Sequence, residues 1–238
     1  IHLHNHSHYS LLDGLTKIDD LLARAKELKM NAVAVTDHGN LYGAIEFYKK
    51  ALASKIKPIL GIEAYIAPGD HKEKKYSQED KYFHLILLAE NNTGWQNLLK
   101  LVTKSYLDGF YYKPRMDKQL LREHHNGLIA LSACLSGEVS RAILADRYED
   151  AKKIAIEYDE IFGSGNYFLE IGYHPAIKET LKVNAGIKKI SEETGIPLVA
   201  TQDAHYLTKE DAEYHDILLA VQTGNHTSDP GRLSLKQE

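Results

Sequence analysis

Short β-prone runs alternate with amphipathic helical stretches along nearly the whole 238-residue chain, and this alternation constrains the fold more than any other feature. Ile18, Leu21, Leu22, Ala25 and Leu28 recur at helical spacing behind Thr16, a candidate N-cap, so a helix is expected over residues 17–29. Ala32-Val33-Ala34-Val35-Thr36 then reads as a strand that stops at the turn-forming Asp37-His38-Gly39-Asn40. The same reading predicts helices over 42–54, 94–106, 137–145, 148–162, 176–194 and 208–221, and strands over 59–66, 82–89, 128–131, 167–171 and 197–201. Residues 69–81 form a charged loop with too little apolar content to pack, and 107–126 read as irregular. One domain spans 1–223, and 224–238 is a linker or tail leading to further domains. The opening IHLHNHSHYSLLDG reads as lying inside the first strand of a longer parent.

Counting that opening, seven short strands are separated by helices, which implies parallel pairing through right-handed crossovers and hence an α/β fold. Seven units in a chain of this length favour a closed barrel. An open doubly wound sheet competes, but its usual G-x-G-x-x-G after a strand is absent. A hydrophobic content of 43% excludes disorder as the main description. The single cysteine cannot form an internal disulfide, which points to a reducing, cytoplasmic compartment. Wholly apolar runs such as Leu85 to Ala89 are far short of the ~20 residues that cross a bilayer, so no membrane span is expected. With 33 acidic against 29 basic residues, the chain is not a free-standing nucleic-acid binder held by a basic surface.

Parallel α/β folds gather ligands and catalysts at the C-terminal ends of their strands, and here metal-type side chains do the same. The first strand ends in His4 and His6, whose i, i+2 spacing puts both imidazoles on one face of an extended segment, with Asp13 further on. His38 follows the second strand, Glu63 lies in the third, Cys134 follows the fifth, and Asp203 and His205 follow the seventh. His84 departs from the pattern, because it lies near the start of its strand. Imidazole, carboxylate and a lone thiolate suit Zn first, with Mn or Fe as alternatives. These candidates outnumber the four or so ligands that one ion takes, so a cluster of about two or three metals is expected. Clustered divalent ions activate a water and clamp the attacking and leaving oxygens of a phosphoester, which makes phosphoester hydrolysis the favoured reaction class. His2, His8, His71, His124, His125, His174, His215 and His226 are read as ordinary surface or core residues.

The runs HLHNHSHYSLLDGL, AVTDHGNLYGAIEFY, KPILGIEAYIA, HLILLAENNTGWQNLLKL, GLIALSACLSGEV, YFLEI and LVATQDAHYLTKEDAEYHDILLAVQTG extend these single residues into motifs. They resemble the polymerase-and-histidinol-phosphatase (PHP) domain at the N-terminus of the bacterial DNA polymerase III alpha subunit, over essentially the whole chain. That resemblance implies a distorted (β/α)7 TIM-like barrel, the PHP fold, holding three divalent ions. It assigns His4, His6, Glu63 and Asp203 to one ion, and has Glu63 bridge to a second ion with His84 and Cys134. Asp13, His38 and His205 fall to the third. It also implies 3′-5′ exonucleolytic proofreading of DNA, with His38 indispensable and Asp203 or His205 relaying protons.

The resemblance implies as partners the 3′ end of DNA, the remaining polymerase domains of the parent chain and other replisome subunits, without a membrane. No palm, fingers or thumb lies in this sequence, so the chain itself does not polymerise. In the loop Phe110-Tyr111-Tyr112-Lys113-Pro114-Arg115, Lys113 and Arg115 are candidates for the DNA backbone, and Tyr111 or Tyr112 for stacking on an unpaired base. YFLEIGYHP departs from the family in carrying Gly172 and Tyr173 where polar residues are more usual. A small-molecule phosphatase of the histidinol-phosphatase type and a metal-stabilised structural module are the competing functions.

Overall fold

The computed structural model of the chain describes residues 1–74, 82–175 and 177–235. The expected loop 69–81, helix 176–194 and tail 224–238 thus lie partly outside the described residues, at 75–81, 176 and 236–238. In chain order the elements are α1 (Ile18–Glu27), β1 (Ala32–Val35), α2 (Ala44–Ala53), β2 (Lys57–Ile66), β3 (Phe83–Ala89), α3 (Asn92–Leu107), β4 (Phe110–Tyr111), β5 (Lys113–Met116), α4 (Lys118–His124), β6 (Leu128–Leu131), α5 (Glu138–Leu144), α6 (Tyr148–Phe162), β7 (Tyr167–Gly172), α7 (Lys178–Thr194), β8 (Leu198–Thr201) and α8 (Ala212–Thr223), the last preceded by a 3-10 turn at Lys209–Asp211. Among the described residues no helix is long and apolar enough to cross a membrane.

Local chemistry sets these elements. α1 buries Ile18, Leu21, Leu22 and Ala25, one stripe at helical spacing. β1 is buried at all four positions, as a strand covered on both faces must be. Asn91 caps α3 by accepting the Gly94 N–H, and Asp117 caps α4 by accepting the Leu120 N–H. Residues 107–126 are therefore not irregular: they fold into β4, β5 and the capped α4.

The sheet runs β4-β5-β2-β3-β6-β7-β8, with β1 parallel to the first half of β2. Residues 2–6 link its two remaining edges. Ala34 and Thr36 donate backbone N–H groups to the carbonyls of His2 and Asn5, while His6 donates to the carbonyl of Ala204 just past β8. The opening segment is therefore not a regular strand, and its strand-like pairing is confined to isolated bridges, Asn5 with Ala204 and Ser7 with Thr16. It nonetheless closes the barrel. The interior is filled by Leu3, Ala34, Ile59, Ile86, Leu131, Phe168 and Val199, one from each of seven segments, and a larger cluster fills the space between strands and helices.

The expectation of all-parallel pairing fails at β3, which is antiparallel to both β2 and β6. A parallel return needs a crossover, usually a helix, and the described residues between β2 and β3 hold none, so β3 comes back beside β2 as a hairpin partner does.

Candidate metal centre

Side chains two apart in a strand share a face, and this alternation builds the site from the barrel interior upward. Continuing the inward rows of Ile59, Ile86, Phe168 and Val199 toward one rim gives Glu63, His84, Glu170 and Thr201. The reversal of β3 explains why His84 begins its strand yet belongs here: the start of β3 pairs with the end of β2, His84 opposite Tyr65. The strand-end rule placed the other candidates at this rim and missed His84 only because it assumed every strand to run the same way.

All nine candidate ligands meet. Glu63, wholly buried, sits centrally: its Oε1 lies 3.3 Å from His4 Nε2 and 2.8 Å from His84 Nδ1, and its Oε2 contacts His38 Nδ1. Asp203 Oδ1 lies 3.0 Å from His4 Nε2 and 3.1 Å from His6 Nε2. Cys134 Sγ is 3.9 Å from both Glu63 Oε1 and His84 Nδ1. Asp13 Oδ2 is 2.6 Å from His38 Nε2 and 3.6 Å from His205 Nε2, and the His6 ring stacks on that of His205 at 4.3 Å. Three overlapping groups result: His4, His6 and Asp203; Glu63, His84 and Cys134; His6, His38 and His205. The second is a set implied by the family resemblance, and the first is another such set without its Glu63. The third has His6 in place of Asp13, which instead contacts His38 and His205.

The electrostatics are those of a site wanting cations. Burial opposes ionisation of Glu63 and Asp203, yet His84 and His38 hold the first, and His4 and His205 the second, well below the usual carboxylate range. Burial likewise opposes protonation of His38, but Glu63 and Asp13 raise it to about 10. His6 goes the other way, lowered to about 3 by burial and by His38 and His205. Burial, with the charges of Asp203 and Glu63, pushes the Cys134 thiol well above its ordinary value. Protons on His38 and His205 thus do the work that divalent ions would do. The buried His4 Nε2, His6 Nε2, His38 Nδ1, Glu63 Oε2 and Asp203 Oδ1 all lack a hydrogen-bond partner. Such atoms are costly in a folded interior unless something binds them, and their mixed N/O chemistry, with one thiol, fits borderline divalent metals.

Outer contacts fix the imidazoles. Glu170, buried in β7, accepts from His4 Nδ1 at 2.7 Å and is itself held by the Thr201 hydroxyl, leaving His4 Nε2 directed at the centre. Ser10 Oγ lies 3.0 Å from His6 Nδ1 and donates to Asp37 at 2.8 Å. His205 Nδ1 donates to the Asp203 carbonyl at 2.9 Å. Sequence reasoning missed Glu170, although the inward alternation of YFLEI beside a strand-end site could have marked it.

The basic loop is corrected in part. Arg115 is wholly buried, its guanidinium donating to the carbonyls of Gly109, His71 and Glu73 and lying over the Tyr111 ring, so it does not reach a DNA backbone. Tyr111 is occupied by that contact, while Tyr112 is exposed. Lys113 Nζ lies 5.4 Å over the ring of Tyr65, which itself packs against His38 and His84, so this amine stands at the rim of the centre.

A barrel with a rim of this composition defines a class, and the comparisons agree. The PHP domain model matches residues 2–174, and the chain belongs to that family. Over 237 residues it is 49% identical to the DNA polymerase III subunit alpha of Borreliella burgdorferi, covering 99% of this chain and 20% of that protein. Over 235 residues it is 48% identical to the Thermus aquaticus subunit, covering 97% and 19% respectively. The chain thus spans about a fifth of the length of these relatives. Among solved structures it is similar in fold to an amidohydrolase from Chromobacterium violaceum, with TM-score 0.56 and 11% identity over 86% of this chain and 87% of that one. A protein from Bifidobacterium adolescentis, named as a candidate metal-dependent phosphoesterase, gives TM-score 0.53 and 13% identity over 87% of each chain. These likenesses agree with the distorted TIM-type barrel of the PHP fold.

Proposed function

We propose that the chain is a metal-dependent phosphoesterase domain that removes nucleotides from the 3′ end of DNA, serving the polymerase of which it forms a part. The observation that carries this reading is the convergence on one barrel rim of five buried polar atoms, from His4, His6, His38, Glu63 and Asp203, that crowd one another without a hydrogen bond. Nine side chains offer room for three divalent ions, Zn first with Mn or Fe as alternatives: His4, His6, Glu63 and Asp203 for one, Glu63, His84 and Cys134 for the second, Asp13, His38 and His205 for the third. Such ions, when bound, lower the pKa of a water and neutralise charge growing on a phosphoester.

The chain's own residues do the rest. Glu63 holds the sites together from the barrel floor, and Glu170 and Ser10 keep His4 and His6 in the orientation that directs Nε2 inward. The His205 tautomer set by the Asp203 carbonyl leaves Nε2, 3.6 Å from Asp13 Oδ2, to ligate or to take a proton, and Asp203 Oδ1, 3.7 Å from His205 Nδ1, is the alternative relay. Lys113 stands where it would meet a phosphate of the incoming strand, with the exposed Tyr112 ring beside it to stack on a base. Residues 1–223 form the catalytic unit and 224–238 lead toward further polymerase domains, with other replisome subunits as further partners and the cytoplasm as compartment.

Elemental analysis of the purified chain, paired with release of mononucleotides from a 3′-labelled oligonucleotide, tests the proposal. About three ions per chain and release that disappears in His38→Ala is the expected result. Bound metals with no release, or turnover of histidinol phosphate in place of DNA, would overturn it.

A further inference from the structure

Beside the centre, bounded by Cys134, Asp203 and His205, lies a cavity of about 260 Å³ between α5 and α7. Two of its wall hydroxyls, Ser140 Oγ on α5 and Thr180 Oγ1 on α7, are buried without a hydrogen-bond partner, in residues 0% and 4% exposed. A buried hydroxyl left unpaired is destabilising, so two in one cavity mark a demand that an occupant would meet. His174 adds an imidazole at the mouth, and Gly172 leaves it space, since a Cβ there would stand 3.1 Å from the ring. Leu135, Ile177 and Val183 add apolar wall, and Ser136, Glu170, Asn184 and Thr201 add further polar groups.

The outer wall comes from the end of the chain. Leu233 and Leu235 line the cavity, and their segment is pinned: Arg232 grips both carboxylate oxygens of Asp216, Ser234 donates to Asp216 at 2.7 Å, and the Tyr206 hydroxyl donates to the Leu235 carbonyl at 3.0 Å. An inorganic phosphate would fill only part of this space. Apolar walls with a few placed hydroxyls and an imidazole suit a flat, heteroatom-edged group carrying a hydroxylated ring.

We propose that this cavity is a nucleoside subsite, which takes the sugar and base of the terminal nucleotide while its phosphate faces Asp203 and His205. The inference rests on the phosphoesterase reading and adds to it the group that is gripped. Ser140 and Thr180 supply hydrogen bonds to the sugar or base edge, and the leucines of the pinned tail close over the base.

Equilibrium binding of thymidine monophosphate, thymidine and inorganic phosphate to the full chain, with and without metals, tests it. Thymidine monophosphate should bind the metal-loaded chain more tightly than phosphate does. Thr180→Val and Ser140→Ala should each weaken it by roughly three- to tenfold, one hydrogen bond's worth, while leaving phosphate binding unchanged. Arg232→Ala, which frees the tail without touching the barrel, should weaken the nucleotide in the same selective way. Equal affinity for nucleotide and phosphate, or variants that weaken both alike, overturns the subsite even if the chain hydrolyses DNA. Thymidine binding that Thr180→Val weakens in a chain taking up no metal sustains the subsite and overturns the phosphoesterase reading instead.

Discussion

Two clusters of histidine and carboxylate lie in this barrel, and they are alike in composition but not in state. Asp70, His71 and Asp117 gather within the same 4.8 Å that encloses Glu63, His84 and Cys134. In the first cluster the lone pairs are already committed. Asp117 accepts the backbone N–H of His71 at 3.0 Å, its imidazole, and the Leu120 N–H at 2.8 Å that caps α4. The Arg115 guanidinium donates to the His71 carbonyl at 2.9 Å, so a cation is already in place. Of the buried atoms of this cluster, the far Nε2 of His71 is the one without a hydrogen bond among the described residues. In the rim centre, by contrast, five inward-facing atoms make no hydrogen bond, and their carboxylates are faced by imidazoles such as His38 and His205, whose proton affinity they raise. Proximity of ligand types is common to both; what separates a scaffold from a site is whether folding alone satisfies the atoms.

That contrast can be broken or sharpened by experiment. Glu63→Gln should strip the centre and cut nucleotide release by more than about 100-fold, beyond the loss typical of an outer-contact change. Asp117→Asn should leave metal content and release intact, and metal lost from that variant would erase the distinction. Chelation comes next: removing ions present at about 100 times their dissociation constant should lower stability by about 3 kcal/mol per site, read as a drop in Tm. Glu170→Gln keeps the shape but not the charge behind His4, and competition with a chelator should show metal affinity about 10- to 100-fold weaker. Asp117→Ala removes a helix cap, so it should cost about 1–2 kcal/mol, roughly 2–8 °C in Tm, without moving metal stoichiometry.

The smallest effect is in pH. Burial pushes the Asp117 carboxyl up, but the N–H groups of His71 and Leu120 and the His71 imidazole outweigh it and hold it below the ordinary 3.8. A depressed folded value contributes stability above the unfolded pKa that is lost as pH falls through the folded one. The stability gap between the native chain and Asp117→Asn should therefore be flat from pH 8 to pH 5 and close below about pH 4, as followed by urea midpoints. A gap that persists at pH 2 would contradict the assignment.

Which parts of this were readable beforehand follows from what each depends on. α1, β1 and α6 fall within a residue or two of their expected bounds, because a buried stripe at period 3.6 or a short apolar run is local information. The direction of β3 is not local; it depends on what joins the strands, and the helix-free link before it carried the clue. The strand-end pattern took in eight of the nine candidate ligands, and the ninth, His84, stood off it and was supported by the family resemblance. The alternation of YFLEI turns Glu170 inward, but its role stayed hidden because an inward glutamate looks the same in sequence whether or not a histidine lies across the barrel. Arg115 was misplaced for the converse reason: a basic residue among tyrosines resembles a nucleic-acid contact, and only the three carbonyls around it show that it serves the loop.

Residues 2–6 complete the barrel by lying between β1 and β8, so His4 and His6 from one end of the domain meet Asp203 and His205 from the other. Contacts of such long sequence separation form late, and a chain emerging from the ribosome carries these two histidines well before their partners exist. A nascent or truncated chain short of Asp203 holds half a site. The order of synthesis thereby keeps the rim centre unassembled until the domain that frames it is whole.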